Sequence, residues 1–329
     1  MLLSRAYDSR LLQSIRHNCG EIVNDAIDDP EVIEIMLNPD GKIWTERYGQ
    51  DQRHVGDLPF ANGQMILSLV ASALGRTVDA NNPILEGEFP LDGSRFAGVF
   101  PPVVGPGASF SIRKRASKLL TLENYYETGV ITENVMKIIY EAVLHMKNIV
   151  VVGGTSSGKT TFVNAIIDCI SRYCSSHRLI IIEDTAELQS KSPNTVFLHT
   201  HMIDELREIG MRQLAKLSMR YAPRRILVGE VRDAAALELL KLWNTGHPGG
   251  VGTFHADSAK EALPRLEELV EEAGLGPKRP LIGRAVDLVV YMEKTADNKR
   301  RVSSIMKVKG YNPKTENYET DSVYSASAA

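Results

Sequence analysis

The stretch Val150–Phe162, VVVGGTSSGKTTF, decides the fold. It reads as an apolar strand, then Gly153-x4-Gly158-Lys159-Thr160, then the opening of a helix. Strand, glycine-rich turn and helix in that order are the setting in which this motif binds phosphate. The glycines let backbone N–H groups wrap the phosphates, and the helix N-terminus adds a favourable dipole. The residues expected to contact nucleotide are Gly153, Gly154, Thr155, Ser156, Ser157, Gly158, Lys159, Thr160 and Thr161. Lys159 should reach the β- and γ-phosphates, and the Thr160 hydroxyl should ligate Mg²⁺. The plainer reading is a chance Gly/Ser-rich turn before a helix, and the full motif in its proper context weighs against it. No guanine-reading Asn-Lys-x-Asp follows the loop, so ATP is expected rather than GTP.

Outward from the loop, from Thr132 on, apolar strands alternate with helical stretches. The strands are NIVVVGG, RLIIIED, TVFLHT, RILVGE, GVGTFHA and DLVVYME; the helices include TTFVNAIIDCI, GMRQLAKLSMR, AALELLKLW and SAKEALPRLEELVEEA. Continuous Val/Ile runs point to strands buried on both faces, hence a largely parallel sheet flanked by helices. RRVSSIMKVKGYNPKTENYET reads as an edge hairpin around Asn312-Pro313, and the tail SVYSASAA is expected to be disordered. The first part of the chain differs. Helical periodicity runs through Leu11, Leu12, Ile15, Ile22, Val23 and Ile27, and VIEIMLN and GKIWTERYG read as strands around a turn at Pro39-Asp40-Gly41. FANGQMILSLVASALG reads as a helix closed by Gly75, followed by short strands broken by Gly and Pro. The charged stretch RKRASKLLTLENYYETGVI reads as a connector. The expected organisation is a smaller α+β domain over residues 1–115, a linker over 116–130 and an α/β phosphate-loop domain over 131–329.

The 329 residues suffice for two ordinary domains, and a 43% apolar fraction can supply their cores. A net charge of -3 gives no bulk attraction to nucleic acid or anionic lipid. Cys19, Cys169 and Cys174 form neither a Cys-x-x-Cys pair nor a zinc pattern, so reduced thiols are expected. The N-terminus is amphipathic and charged, unlike a signal peptide, and no apolar run is long enough to span a bilayer. A cytoplasmic chain is expected, one that could dock at a membrane through a partner.

Two further stretches carry acids. IIIEDTAEL puts Glu183, Asp184 and Glu187 at one strand end, and LVGEVR puts Glu230 at another. Strand C-termini converge in an open α/β sheet, so these carboxylates could reach the phosphate loop together. Hydrolysis needs one to orient or deprotonate water and another to steady the metal. The alternative, a solvated strand cap, is evenly weighted for Asp184 or Glu187 alone. NTGHPGGVGTFHADSA adds His247 and His255 around a glycine-rich strand. A lone histidine there is more often structural; two with Thr245-Gly246 and Gly249-Gly250 between them are harder to dismiss.

GGTSSGKTT, IIIEDTAEL, RILVGEVRDAAALELLKLWNTGHPGG and GTFHADSA occur in this order and spacing. Together they resemble the type II/type IV secretion ATPase superfamily, with its phosphate loop, acidic box, atypical second Walker motif and His box. LKLWNTGHPGG and EIVNDAIDDPEVIEIMLNPDGKIW look most like the TrbB-type conjugal-transfer ATPases. The resemblance implies a RecA-like ATPase domain preceded by the smaller α+β domain. It implies that Glu230 is the catalytic carboxylate, that Glu187 helps place metal and water, that His255 senses the γ-phosphate and that His247 supports the site. It also implies a homohexamer, with ATP and Mg²⁺ between the two halves of a subunit, and Arg95 and Arg113 pointing at the nucleotide. Arg220 and Arg232 would serve the site or the subunit interface. Any one of these arginines could instead be a solvated surface charge. Where the family often has Pro-Asp before the Glu230 strand, this chain has Pro223-Arg224.

The expected function is ATP hydrolysis that powers a conjugative type IV secretion system, peripheral at the inner membrane through partner components. No base-recognition motif or basic stripe points to sequence-specific nucleic-acid binding. A pilus extension or retraction motor shares every nucleotide motif, and a nucleotide-gated scaffold is the non-enzymatic alternative.

Overall fold

A computed structural model describes residues 8–115, 119–204, 207–274, 276–295, 297 and 299–326. The chain divides into two compact units, residues 1–117 and 118–329. The first unit contains α1 (Ser9–Asp28), β1 (Val32–Leu37), β2 (Lys42–Arg47), β3 (Arg53–Asp57), α2 (Phe60–Ala73), β4 (Ile84–Glu88), β5 (Arg95–Val99) and β6 (Ser109–Arg113). Its strands form one antiparallel sheet in the order β3-β2-β1-β6-β5-β4. Strand alternation builds the core: Phe110 and Ile112 of β6 point in while Ser109 and Ser111 stay half-buried. Ile15 and Val23 of α1, with Ile66, Leu67 and Val70 of α2, close over them. α1 is interrupted at Gly20, whose φ is 64°.

The second unit contains α3 (Leu122–Glu127), α4 (Glu133–Leu144), β7 (Ile149–Gly153), α5 (Lys159–Tyr173), β8 (Leu179–Glu183), β9 (Thr195–His199), β10 (His201–Asp204), β11 (Arg207–Ile209), α6 (Met211–Ser218), β12 (Arg225–Val228), α7 (Ala235–Asn244), β13 (Val251–Phe254), α8 (Ala262–Glu271), α9 (Arg279–Ala285), β14 (Leu288–Lys294), β15 (Arg300–Asn312) and β16 (Asn317–Ser325). An eight-stranded sheet runs β16-β15-β14-β7-β13-β12-β8-β9. β14 through β9 are parallel, and β15 and β16 add an antiparallel hairpin. Both faces are covered. Val150 and Val152 enter one apolar cluster, Ile149 and Val151 the other. That two-sided burial is why the strands read as unbroken apolar runs.

Several expectations are corrected. The proposed linker is largely part of the second unit: Leu122 and Tyr125 of α3 are buried in its core, with Tyr125 edge-on to Phe162 at 5.2 Å. Residues 116–118 lie outside the described residues. The tail expected to be disordered instead continues β16 to Ser325, held by pairing with β15; residues 327–329 lie outside the described residues. TVFLHT forms β9, the sheet edge, so its residues are only half-buried. β3 and the β10–β11 pair have no strong apolar alternation and were not foreseen.

Candidate active site

Parallel strands bring their C-terminal ends to one edge of the sheet. The phosphate loop leaves β7 there. β13, β12 and β8 lie on one side of it, β14 and β15 on the other. Gly153 has φ 154°, and a Cβ there would stand 2.1 Å from the Met292 carbonyl oxygen, so only glycine fits. Gly158, just before α5, is left-handed at φ 92°. Gly154, Thr155 and Ser156 are exposed, while Thr160 and Thr161 sit half-buried in the first turn of α5. Lys159 is buried, and its Nζ donates to the carbonyls of Gly153 (2.9 Å) and Gly154 (2.8 Å). The same Nζ lies 3.5 Å from His255 Nδ1. Ser157 Oγ is buried with no hydrogen-bond partner. A lysine, a helix N-terminus and an orphaned hydroxyl around an open loop suit a polyphosphate.

Glu230 follows β12 and is clamped through its neighbours. Gly229 N–H donates to Ile182 O (2.9 Å) and Val231 N–H to Thr253 O (2.8 Å), while Thr253 Oγ1 donates to Gly229 O (2.6 Å). The backbone carrying Glu230 is thus fixed to both adjacent strands. Glycine at 229 has a spatial reason: a Cβ would stand 3.1 Å from Glu183 Cγ and 3.2 Å from Glu183 Oε1. The second Walker strand ends in Gly-Glu because the acidic box packs against it.

Glu183 does not join the carboxylates at the loop. It is buried, and its Oε1 accepts from the N–H groups of Glu187 (2.9 Å) and Leu188 (2.7 Å). Its other oxygen has no hydrogen bond and faces His199 Nε2 at 3.7 Å. Glu183 therefore shapes the acidic-box turn that presents Glu187. Asp184, the next residue, points outward and accepts from Thr200 Oγ1 (2.5 Å).

The charged groups form a continuous line. His255 Nε2 lies 3.1 Å from Glu230 Oε1, Arg232 donates to Glu230 Oε2 (2.6 Å), and Arg232 Nη1 lies 3.8 Å from Asp184. Burial and the Lys159 cation push His255 below the ordinary histidine range, against the pull of Glu230. The ring is therefore neutral at neutral pH. Its Nε2–H donates to Glu230, and its bare Nδ1 accepts from Lys159. Burial disfavours the Glu230 carboxylate, yet the Arg232 hydrogen bond and charge, aided by the Lys159 cation, hold its pKa below the usual range. Bonding to Glu230 raises Arg232. Glu230, Val231, Arg232, His255, Arg265 and Leu269 line a concavity of about 260 Å³. Arg265, on α8, carries no motif signal and was missed, as was the clamp made by Thr253.

Two candidates lie elsewhere. His247 is on the loop entering β13, at the opposite end of that strand from His255. Arg220 is exposed just before β12, again at the far edge. The glycines beside His247 serve packing: a Cβ at Gly249 would meet Arg225 Nη1 at 2.5 Å, and one at Gly250 would meet Trp243 Nε1 at 2.0 Å. Arg95 and Arg113 belong to the first unit and face each other across β5 and β6. Glu88 and Glu34 continue the row on β4 and β1. No group of three or more His, Cys, Asp or Glu that could hold a metal occurs among the described residues. A magnesium ion would need phosphate oxygens to complete its shell, as is usual for this ion.

A probable conjugal transfer protein TrbB of Sinorhizobium fredii (strain NBRC 101917 / NGR234) is 46% identical over 302 residues, covering 92% of this chain and 91% of its own. The conjugal transfer protein TrbB of Rhizobium radiobacter is 44% identical over 312 residues, covering 95% and 94%. Among solved structures, the Legionella pneumophila ATPase DotB matches with a TM-score of 0.60 at 18% identity, covering 85% of this chain and 77% of that one, and shares the fold. A family described as "Type II/IV secretion system protein" matches residues 19–322. The chain therefore belongs to the type II/IV secretion system protein family, the secretion ATPases whose motifs its second unit carries.

Proposed function

We propose that this protein hydrolyses ATP, with Mg²⁺, as a homohexamer that drives a conjugative type IV secretion system. The observation that carries the reading is the line Lys159, His255, Glu230, Arg232, drawn from the β7–α5 loop and the ends of β13 and β12. The conjugal-transfer names of the two TrbB relatives support the physiological setting. Among the described residues no helix is long and apolar enough to cross a membrane, so attachment at the inner membrane would go through partner components.

ATP would draw the Lys159 ammonium from the loop carbonyls to the β- and γ-phosphates, where loop amides and the α5 N-terminus complete the cradle. Glu230 then orients water and accepts its proton; its lowered pKa keeps it ionised for that task. His255, neutral, turns its N–H from Glu230 to a γ-phosphate oxygen. Thr160, Glu187 and Glu230 are the residues that would hold Mg²⁺, directly or through water, and the ion would supply neutralisation of phosphate charge. Arg95 and Arg113 enter as stabilisers of transition-state charge, for which a guanidinium is better shaped than an ammonium. Steady-state phosphate release from wild type and Glu230→Gln tests the catalytic assignment. The variant should fall about 10²–10⁴-fold with ATP binding largely kept, and equal rates would remove Glu230 from the chemistry. Sedimentation with a non-hydrolysable ATP analogue tests the hexamer, and a monomer at micromolar concentration counts against it.

A further inference from the structure

Arg300 opens β15, paired with Lys294 of β14, on the side of the phosphate loop away from Glu230 and His255. Its Nε donates to the carbonyl oxygen of Ser156 at 3.1 Å. Its Cδ lies 3.1 Å from where a Cβ on Gly158 would stand. The side chain thus touches the turn at both ends of 156–158. Ser156 itself is left-handed, at φ 58°, an uncommon conformation for a residue with a side chain.

The Ser156 carbonyl and the Ser157 N–H belong to one trans peptide plane and point in opposite directions. A cation on the oxygen therefore decides which way the N–H faces. It also polarises the peptide and strengthens that N–H as a donor. Among the described residues Ser157 N–H makes only a long 3.4 Å contact to Gly154 O, so a better acceptor can take it. Resting on the nucleotide reading above, we propose that Arg300 is a positioning residue for phosphate binding, holding the Ser156–Ser157 peptide with its N–H toward the phosphates. The C-terminal hairpin thereby becomes part of the nucleotide site, although it carries none of the family's motifs.

Calorimetric titration of ATP, ADP and inorganic tripolyphosphate into wild type, Arg300→Ala, Arg300→Lys and Lys159→Ala tests the assignment. The amide resonance of Ser157 is followed in the free proteins. Arg300→Ala should weaken all three ligands by a common factor, about three- to tenfold, the worth of one such hydrogen bond. Arg300→Lys should recover part of the loss, and the Ser157 resonance should move in Arg300→Ala. Weakened ATP and ADP with unchanged tripolyphosphate would place Arg300 on the nucleoside and overturn the proposal. So would unchanged affinities, or an unmoved Ser157 resonance. If Lys159→Ala binds all three ligands like wild type, the nucleotide reading fails too; if only the Arg300 variants lack an effect, the Arg300 role fails alone.

Discussion

Replacing Glu183 with alanine removes the acceptor of two backbone N–H groups, those of Glu187 and Leu188, held at 2.9 and 2.7 Å. Glu183 is buried, so water cannot take its place freely. Each orphaned buried donor costs about 1–3 kcal/mol, so the pair costs about 2–6 kcal/mol before any cavity beside Gly229 is counted. A unit of this size loses about 2–4 °C of melting temperature per kcal/mol. Glu183→Ala should therefore melt roughly 5–20 °C below wild type in scanning calorimetry. Glu183→Gln keeps the shape and one accepting oxygen, and its amide can donate toward His199, so it should lose only about 1 kcal/mol. Turnover should follow the same order, because the turn held by Glu183 presents Glu187. A Glu183→Ala protein that melts within about 2 °C of wild type would show that the buried carboxylate does not hold the acidic box.

Gly229→Ala forces a methyl group to 3.1 Å from Glu183 Cγ and should cost about 1–3 kcal/mol. That cost should shrink in a Glu183→Ala background; strict additivity in the double-mutant cycle would deny the contact. Arg113→Ala should lower turnover by about 10²-fold or more while ATP affinity falls far less, and a proportional fall in both rejects the transition-state role. Because His255 is held below the ordinary histidine range, the unfolded chain takes up that proton first. Its contribution to stability is complete above the unfolded pKa and is lost as pH falls from there through the lower folded pKa. His255→Asn should flatten that part of the melting profile, and an unchanged slope contradicts the assignment.

Much of the second unit was legible in the sequence. The phosphate loop is a local object: glycine spacing, a lysine and a helix start specify its shape within a dozen residues or so. Six apolar runs announced six parallel strands; five of them read so because both faces of the sheet are buried there, while β9 is the half-buried edge. The hairpin at the end was legible from its turn. Less visible were β3, β10 and β11, short strands without strong alternation.

What the sequence alone determined is the chemistry on hand: a polyphosphate cradle, strand-end acids and a histidine, in one family's order. Tertiary structure decided which of them meet. Glu183 and Asp184 are adjacent in the chain, yet one is buried against Gly229 and the other faces solvent, because β8 ends at Glu183 and Asp184 already lies on the turn beyond the covered sheet. His247 and His255 flank one strand, and its direction alone sends His255 to the phosphate loop and His247 to the far edge. Arg300 reaches Ser156 across 144 positions of sequence because β15 is laid beside β14 and β14 beside β7. Strand direction and register arise from pairing between distant segments, so no local pattern could have stated them.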